Sequence, residues 1–239
     1  MIGAMILAAG RGERMRPLTE HTPKPLLAAG GKPLIAWQIE ALARAGIRDI
    51  VINVSPHAAQ IVAALGGGER FGVQLRYSHE AVPLETAGGI ATALPLLRVG
   101  PVVIVSADIW SDFDYARLLP VAARMAADSA APRAHLVMVD NPAYHPQGDF
   151  VLDGGRVALD GGARVTYANI SVHDTALFAE LPRGAPLKLL PLWRRWIAQG
   201  WVSGELFAGR WANVGTPADL AALDAALAND SMASLTRKP

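Results

Sequence analysis

The composition of the chain excludes several classes of site before any motif is considered. It contains no cysteine, which rules out disulfides, thiolate zinc sites, iron–sulfur clusters and a cysteine nucleophile. Aromatic residues make up only 6%, so a core must be built mainly from Ala, Leu, Val and Ile. Neither sign of charge is in excess, since 22 basic and 21 acidic residues give a net charge of +1. We therefore expect no nucleic-acid partner, and any anion must be held by local side chains.

Long hydrophobic segments are also absent. No stretch reaches the roughly 18 apolar residues of a membrane span. The apolar start is too short for a signal peptide and runs into Arg11 and Arg14 without a small-residue cleavage site. These absences predict a cytoplasmic protein with no membrane partner. No repeat or low-complexity linker interrupts the 239 residues, which predicts a single domain over residues 1–228 and a loose C-terminal tail over residues 229–239.

Short apolar, β-branched runs alternate with longer helical patterns. This alternation predicts an α/β fold with a Rossmann-like, mostly parallel central sheet flanked by helices. The predicted strands are Ala4–Ala8, Asp49–Val54, Gln74–Tyr77, Val102–Ser106, Ala134–Val139, Thr166–Val172, Val202–Leu206 and Trp211–Val214, with a hairpin over Phe150–Leu159. The predicted helices are Leu34–Ala45, Ala58–Leu65, a segment from about Glu85, Tyr115–Arg124, Leu187–Gln199 and Pro217–Ala228.

A glycine-containing loop follows the first predicted strand. It runs from Leu7, Ala8 and Ala9 through Gly10 and Gly12 to Arg14 and Arg16. In an open parallel sheet, ligands bind beyond the carboxyl ends of the strands. Glycines there let backbone N–H groups approach a phosphate, and arginines add charge-assisted donors. The alternative is a turn that needs glycine for geometry alone. No P-loop sequence is present, and Met15 stands where a dinucleotide-binding loop has its third glycine.

Lys24 lies in a stiff segment shortly after this loop. It is flanked by Pro23 and Pro25, and proline fixes its own φ and restricts the residue before it. A lysine on such a segment is held in one direction, as a phosphate ligand requires. The alternative is an ordinary surface lysine in a proline-rich turn.

Together these motifs resemble the opening of the sugar-phosphate nucleotidyltransferases. The pattern is Gly10-x-Gly12-x-Arg14-Met15-x-Pro17 followed by Pro23-Lys24-Pro25. The resemblance implies an enzyme that joins a nucleoside triphosphate to a sugar 1-phosphate and releases pyrophosphate. It implies that Arg14 meets the departing phosphates and that Lys24 contacts the α-phosphate. The loop residues implied to bind the nucleotide are Leu7, Ala8, Ala9, Gly10 and Gly12. Glu13 departs from the threonine of many relatives, and we expect it to point away from the phosphates or to meet an arginine.

The same resemblance assigns a base-reading role to the segment that opens the helix near Glu85. Glu80 stands at the position of a base-reading glutamine and Thr86 at that of a family threonine. An acceptor at Glu80 suits a pyrimidine N–H and favours uracil or thymine. Small residues at Ala87, Gly88 and Gly89 would let a flat base approach the backbone. The alternative is a helix N-terminus in which Glu85 favours the dipole and the glycines serve packing.

Two residues are implied as magnesium ligands. Asp108 follows the apolar strand Val102–Ser106, and Asn213 stands in Trp211-Ala212-Asn213-Val214-Gly215-Thr216, which resembles the second metal-binding turn of the family. Mg²⁺ is commonly held by one or two carboxylates together with phosphates and water. Asp108 could instead cap a turn. An amide at Asn213 predicts weaker metal binding, and the alternative is a site that has lost its metal.

Other stretches resemble short bacterial members of the family that transfer UMP to N-acetylmuramate α-1-phosphate in cell-wall recycling. These stretches are residues 12–19, Pro83-Leu84-Glu85-Thr86, Asp140-Asn141-Pro142, Gly148-Asp149-Phe150 and Ser203-Gly204-Glu205. By resemblance, Gly148 and Lys188 face the sugar phosphate, and UTP is the favoured donor.

Rival functions remain. Within the family the rival is a thymidylyl- or guanylyltransferase acting on glucose, mannose or heptose 1-phosphate. A dinucleotide-binding oxidoreductase would need a ribose-binding acid where Asn53 and Ser55 stand. The third rival function is a module that senses a nucleotide by binding it without turnover.

Overall fold

The computed structural model describes residues 2–55 and 58–235. The helices in these residues are α1 Leu34–Arg44, α2 Ala58–Leu65, α3 Glu85–Ala93, α4 Leu118–Ala127, α5 Leu189–Ala198 and α6 Pro217–Leu235. The strands are β1 Gly3–Leu7, β2 Ala28–Ala29, β3 Lys32–Pro33, β4 Asp49–Val54, β5 Gln74–His79, β6 Pro101–Ser106, β7 Ile109–Ser111, β8 Ala134–Val139, β9 Phe150–Asp153, β10 Arg156–Ala158, β11 Arg164–Asp174, β12 Val202–Leu206 and β13 Trp211–Asn213. None of the helices described is both long and apolar enough to cross a bilayer.

Nine of the described strands form one sheet, in the order β5-β4-β1-β6-β11-β8-β12-β10-β9. The first four pair in parallel, and the last residue of β1, Leu7, is opposite Asn53 of β4 and Ser106 of β6. Buried apolar residues fill β1, β4 and β6, as expected for parallel strands covered on both faces. The carboxyl ends of these strands therefore meet at one edge of the sheet.

The strands from the second half of the chain make the sheet mixed. β11 runs antiparallel to β6 on one side and to β8 and β9 on the other. Its register shifts between Tyr167 and Ser171, and Asn169 within this bulge has a φ of 59°. The α/β class and the Rossmann-like arrangement are confirmed. The predicted hairpin over Phe150–Leu159 is present as the antiparallel pair β9–β10. The antiparallel direction of β11 was not specified by the sequence pattern, because alternation of apolar residues does not report strand direction.

Helices cover both faces of the sheet. Apolar residues of α1, α2 and α4 join one buried cluster, and those of α3 and α5 join another. Successive residues of β1 serve opposite faces, since Ala4 and Ile6 belong to the first cluster and Met5 to the second. α6 packs outside this frame, where Leu223 and Leu227 contact a third cluster containing Met15 and Trp110.

Several boundaries agree with the sequence prediction, and others differ for local reasons. Asp49–Val54, Ala58–Leu65, Ala134–Val139 and Val202–Leu206 are confirmed as predicted. The helix predicted from Tyr115 begins at Leu118, because a 3₁₀ turn capped by Asp114 precedes it. α6 continues to Leu235 rather than ending at Ala228, so the first part of the predicted tail is helical. Residues 236–239 of that tail lie outside the described residues.

Candidate active site

A cleft of about 380 Å³ opens at the carboxyl ends of β1, β4 and β6. It is formed by the loop after β1, the segment before α3 and the turn after β6. Of the site residues predicted from sequence, it is lined by Leu7, Ala8, Ala9, Gly10, Lys24, Glu80, Thr86 and Asp108. Gly12, Arg14, Gly148, Lys188 and Asn213 lie outside its lining.

An ion pair crosses the cleft. Nζ of Lys24 donates to Oδ2 of Asp108 at 2.5 Å, and the lysine side chain is only 10% exposed. Lys24 opens a 3₁₀ turn whose second residue, Pro25, is buried, so its backbone direction is set by proline and packing together. Asp108 stands in the turn between β6 and β7. A cation and a carboxylate are thus presented from opposite walls to the same space.

The two glycines of the loop after β1 have different surroundings. A Cβ built on Gly10 would meet nothing within 4 Å in the described protein, so packing does not require glycine there. Gly12 has a φ of 61°, and a Cβ there would lie 3.1 Å from Cβ of Lys24 and 3.0 Å from Cγ2 of Thr19. Thr19 also donates its hydroxyl to the carbonyl of Gly12 at 2.8 Å. Gly12 therefore allows the loop to pack on the stem of Lys24, whereas Gly10 leaves the backbone open to the cleft.

Arg14 projects to the neighbouring turn rather than into the cleft. A Cβ built on Gly215 would lie 3.7 Å from Nη1 of Arg14. The exposed guanidinium makes no hydrogen bond or ion pair with the described residues. The carboxylate of Asp219 accepts from both Gly215 and Thr216 and holds this turn in place. Arg14 is thus a free cation, among the described residues, beside the turn that carries Asn213.

Glu80 lines the cleft but is 4% exposed, and both of its oxygens already have partners. Oε1 accepts from Nδ2 of Asn53 at 2.7 Å, and Oε2 accepts from the backbone N–H of Leu84 at 3.1 Å. The structure therefore places this carboxylate in an internal network at the edge of the cleft. Its predicted contact with a base remains a prediction.

The start of α3 does not present its glycines to the cleft. A Cβ on Gly88 would lie 2.1 Å from the carbonyl oxygen of Ala185, and one on Gly89 would lie 2.6 Å from Oε1 of Glu80. The interpretation that these glycines admit a flat base is wrong, because protein atoms already occupy the space that they leave. Thr86 does line the cleft, next to Glu85, whose φ of 58° is rare outside glycine.

The backbone of Asn213 lies next to that of Asp108, but its side chain lines a different cavity. β13 pairs with β7, and the N–H of Val214 donates to the carbonyl of Asp108 at 2.9 Å. The side chain of Asn213 lies near Tyr144, and both residues line a separate cavity of about 370 Å³. Partial burial raises the pKa of Tyr144, while the polar amide of Asn213 opposes this shift.

The donors present suit a sparsely ligated hard cation. The described residues contain no group of three His, Cys, Asp or Glu side chains that could hold a metal alone. Lys24 binds Oδ2 of Asp108, and Oδ1 accepts no hydrogen bond from the described protein. One carboxylate and one nearby amide fit an ion such as Mg²⁺, which draws further oxygens from phosphates and water.

Lys188 and Gly148 lie along an extension of the cleft. Lys188 is exposed, precedes α5 and lines a cavity of about 290 Å³ that shares Leu7 and Thr86 with the main cleft. Leu190 lines both this cavity and a third one of about 430 Å³, which contains Gly148. Gly148 has a φ of 60°, and a Cβ there would meet Oδ1 of Asn141 at 2.7 Å. The two predicted sugar-side residues are thus on connected walls, although they do not share one cavity.

Three polar residues at the site were not predicted to take part in it. Asn53, the last residue but one of β4, lines the cleft, Asn169 lines the cavity of Lys188 from the bulge of β11, and Tyr144 lies beside Asn213. A polar residue near the end of a buried strand was a readable signal for Asn53. The roles of Asn169 and Tyr144 depend on a bulge and a loop that no periodic pattern reports.

The fold and the cleft define a nucleotidyl transferase. Residues 3–144, more than half of the chain, match the nucleotidyl transferase family. The chain belongs to this family. The matched region contains β1 and its loop, Lys24 and Asp108, and it ends at Tyr144.

Full-length relatives place the chain more narrowly within the family. It is 44% identical over 217 residues to an N-acetylmuramate α-1-phosphate uridylyltransferase of Neisseria meningitidis serogroup B, covering 89% of this chain and 93% of that protein. It is 38% identical over 236 residues to the protein of the same name from Caulobacter vibrioides, covering 94% and 96%. A candidate glucose-1-phosphate thymidylyltransferase from Bacillus anthracis, solved with sucrose, superposes with a TM-score of 0.83 at 20% identity and 95% coverage of both chains. This last likeness supports the fold.

Proposed function

We propose that this protein transfers UMP from UTP to N-acetylmuramate α-1-phosphate and releases pyrophosphate. The observation that carries the proposal is the Lys24–Asp108 pair inside the cleft at the ends of β1 and β6. The two uridylyltransferase relatives, which align over most of their length and of this chain, support the choice of substrates.

The chemistry requires positioning more than proton transfer. An oxygen of the sugar phosphate attacks the α-phosphorus in line, a new O–P bond forms, and the bond to the pyrophosphate oxygen breaks. The attacking oxygen is already ionised at neutral pH, so no general base is needed. Lys24 neutralises charge at the α-phosphate. Arg14, whose guanidinium lies beside the turn that carries Asn213, contacts the departing phosphates. Gly10 leaves backbone N–H groups accessible to the triphosphate.

Magnesium dependence is part of the proposal. Asp108 and the amide oxygen of Asn213 would hold the ion, which supplies positive charge that offsets repulsion between the phosphates. For this role the side chain of Asn213 must turn from the cavity that it shares with Tyr144 toward Asp108. Asp108 already presents a free oxygen to the cleft.

The sugar side of the proposal rests on Lys188 and Gly148. N-acetylmuramate carries a lactyl carboxylate besides its 1-phosphate, and both anions need donors. Lys188 is an exposed ammonium on the wall that continues from the nucleotide cleft, so it can reach either anion. Gly148 lines the adjoining cavity, where a side chain would collide with Asn141.

A pyrophosphate-release screen tests the proposal. UTP, dTTP, GTP and CTP are each combined with N-acetylmuramate, N-acetylglucosamine, glucose, mannose and heptose 1-phosphates in the presence of Mg²⁺. UTP with N-acetylmuramate 1-phosphate should give the highest kcat/KM. A preference for dTTP or GTP with glucose, mannose or heptose 1-phosphate would establish the rival transferase instead. Binding of a triphosphate with no release from any pair would indicate a nucleotide-sensing module.

A further inference from the structure

Glu80 is a buried carboxylate that joins two walls of the cleft. It directly follows β5, is 4% exposed, and accepts one hydrogen bond through each oxygen. An unpaired buried carboxylate is costly, so these two donors are part of what stabilises it. They come from Asn53 on β4 and from the backbone of Leu84, just before α3.

The first connection leads to the loop after β1. Asn53 uses its two amide atoms in opposite directions. Nδ2 donates to Glu80 at 2.7 Å, and Oδ1 accepts from the backbone N–H of Ala8 at 2.8 Å. The orientation of the Asn53 amide is therefore fixed by the carboxylate on one side and the N–H on the other. Through it, Glu80 is linked to the backbone of Ala8.

The second connection leads to the wall that carries Lys188. The N–H of Leu84 donates to Glu80, and the carbonyl of Leu84 accepts from the N–H of Leu187 at 2.9 Å. The carbonyl of Leu187 in turn accepts from the N–H groups of Ala87 and Gly88. Lys188 is the next residue along the chain. Its backbone is thus held through Leu84 by the same carboxylate.

A glycine makes room for this arrangement. A Cβ on Gly89 would lie 2.6 Å from Oε1 of Glu80 and 3.0 Å from Nδ2 of Asn53. The absence of a side chain at Gly89 lets the carboxylate and the amide meet in the interior. The polar atoms face each other across the space that this glycine leaves.

We propose that Glu80 is a positioning residue that holds the loop after β1 and the Lys188 segment in register, and that it does not read the base. The inference rests on the proposed function for what the two walls bind. The hydrogen-bonded chain from Ala8 through Asn53, Glu80 and Leu84 to Leu187 is independent of any substrate. Loss of this chain displaces the nucleotide end and the sugar-phosphate end of the cleft together.

The first test is Glu80→Gln, which preserves shape but converts one acceptor into a donor. Both present partners are N–H donors, so a glutamine can satisfy only one of them. The melting temperature should fall by about 2–10 °C, as expected for one unsatisfied buried donor in a domain of this size. With the best substrate pair, kcat/KM should fall by roughly tenfold or more, and the ratio of kcat/KM among the four triphosphates should stay as in the unmodified protein. Glu180→Gln, an exposed glutamate outside the cleft, is the matched control and should change neither quantity.

The decisive variant is the double substitution Asn53→Asp with Glu80→Gln. The amide introduced at position 80 can then donate to the carboxylate introduced at position 53, while the amide oxygen accepts from Leu84. The other oxygen of the new carboxylate accepts from Ala8, so every hydrogen bond is restored with the charge moved by one partner. Asn53→Asp alone opposes two carboxylates and should melt lowest. Recovery of both melting temperature and kcat/KM in the double variant, relative to either single variant, is the expected result.

The outcomes separate the alternatives. If Glu80 reads the base, Glu80→Gln will change the preference among triphosphates and the double variant will not restore it, which overturns the proposal. Wild-type melting and kinetics in Glu80→Gln overturn it as well, as does a double variant no more stable than the singles. If no substrate pair releases pyrophosphate, the proposed function fails, but the melting temperatures and amide hydrogen exchange at Ala8 and Leu84 still test the network.

Discussion

Nζ of Lys24 and Oδ2 of Asp108 lie 2.5 Å apart, although 84 residues separate them in the chain. The contact forms because a proline-flanked turn and the end of β6 reach the same cleft from opposite walls. In the proposed function both groups would exchange this contact for a ligand, because a triphosphate would offer oxygens to the lysine and a cation would offer charge to the aspartate. The pair therefore brings the lysine predicted to bind phosphate and the aspartate predicted to bind metal together in one cleft.

Removing either partner should abolish most turnover. We expect Lys24→Ala and Asp108→Ala each to lower kcat by roughly a hundredfold or more, as is typical for the loss of one preorganised electrostatic group. Steady-state pyrophosphate release with saturating substrates measures this effect. Lys32→Ala is the control, because it breaks a comparable 2.7 Å pair with Glu40 away from the cleft. Near-normal turnover in either cleft variant would refute the role assigned to that residue.

A carboxylate at position 213 should strengthen metal binding. Asn213→Asp adds a charged oxygen next to the turn of Asp108, so turnover should be retained and half-maximal activity should occur at a lower Mg²⁺ concentration. Calorimetric titration of Mg²⁺ into the UTP complex provides a readout that does not depend on turnover. Asn229→Asp makes the same chemical change on an exposed part of α6 and should leave both measurements unaltered. Complete loss of turnover in Asn213→Asp would argue against its place beside the metal.

The parallel half of the fold could be predicted because its signals are local and periodic. Residues 49–54 and 134–139 are mostly apolar, interrupted within the strand by Asn53 and His135, and both strands occur with the predicted bounds. The direction of β11 was not predictable, since its pairing with β6 and β8 depends on contacts between residues far apart in the chain. The helix after Pro217 was predicted too short, because Asn229 and Asp230 suggest an end that the chain does not make.

The candidate site was predictable where a backbone feature determines the side chain. Lys24 between two prolines and Asp108 at the end of an apolar strand lie in the cleft, as their positions indicated. Side chains that choose among partners were not predictable. Asn213 shares a cavity with Tyr144, and Glu80 accepts a hydrogen bond from Asn53, so in each case the neighbour is a residue distant in sequence. Spacing along the chain carries no information about such choices.

The two loop glycines offer a matched test of the phosphate-binding interpretation. In Gly12→Ala, the new Cβ is forced to a left-handed φ and against Lys24, so we expect a destabilisation of about 1–2 kcal/mol together with lower kcat. In Gly10→Ala, the methyl group enters open space, so stability should change by less than about 0.5 kcal/mol. KM for the triphosphate should nevertheless rise several-fold. Denaturant unfolding and initial rates measure both effects, and an unchanged KM in Gly10→Ala would remove the loop from the nucleotide site.

A buried histidine should make stability depend on pH below neutrality. His173 of β11 is fully buried, and its Nε2 accepts from Nε1 of Trp193 at 2.9 Å. Nδ1 must then carry the proton, and it has no partner in the described protein. Burial lowers the pKa of His173 to about 3 from the ordinary 6.5. The imidazole therefore stays neutral in the folded protein where it would be charged in the unfolded chain.

The sign of the effect follows from proton binding. Between pH 6.5 and about 3, His173 is protonated in the unfolded chain but neutral in the folded protein. The free energy of unfolding should therefore be insensitive to this residue above pH 6.5 and fall below it, with a slope approaching about 1.4 kcal/mol per pH unit. Urea unfolding at pH 7.5 and 4.5 gives the difference for the wild type and for His173→Gln, whose side-chain oxygen can still accept from Trp193. The variant should be less stable at pH 7.5 but lose less stability on acidification. His79→Gln, at an exposed position, should lose as much stability between pH 7.5 and 4.5 as the wild type does. An equal loss in His173→Gln and wild type would show that other groups govern the acid sensitivity.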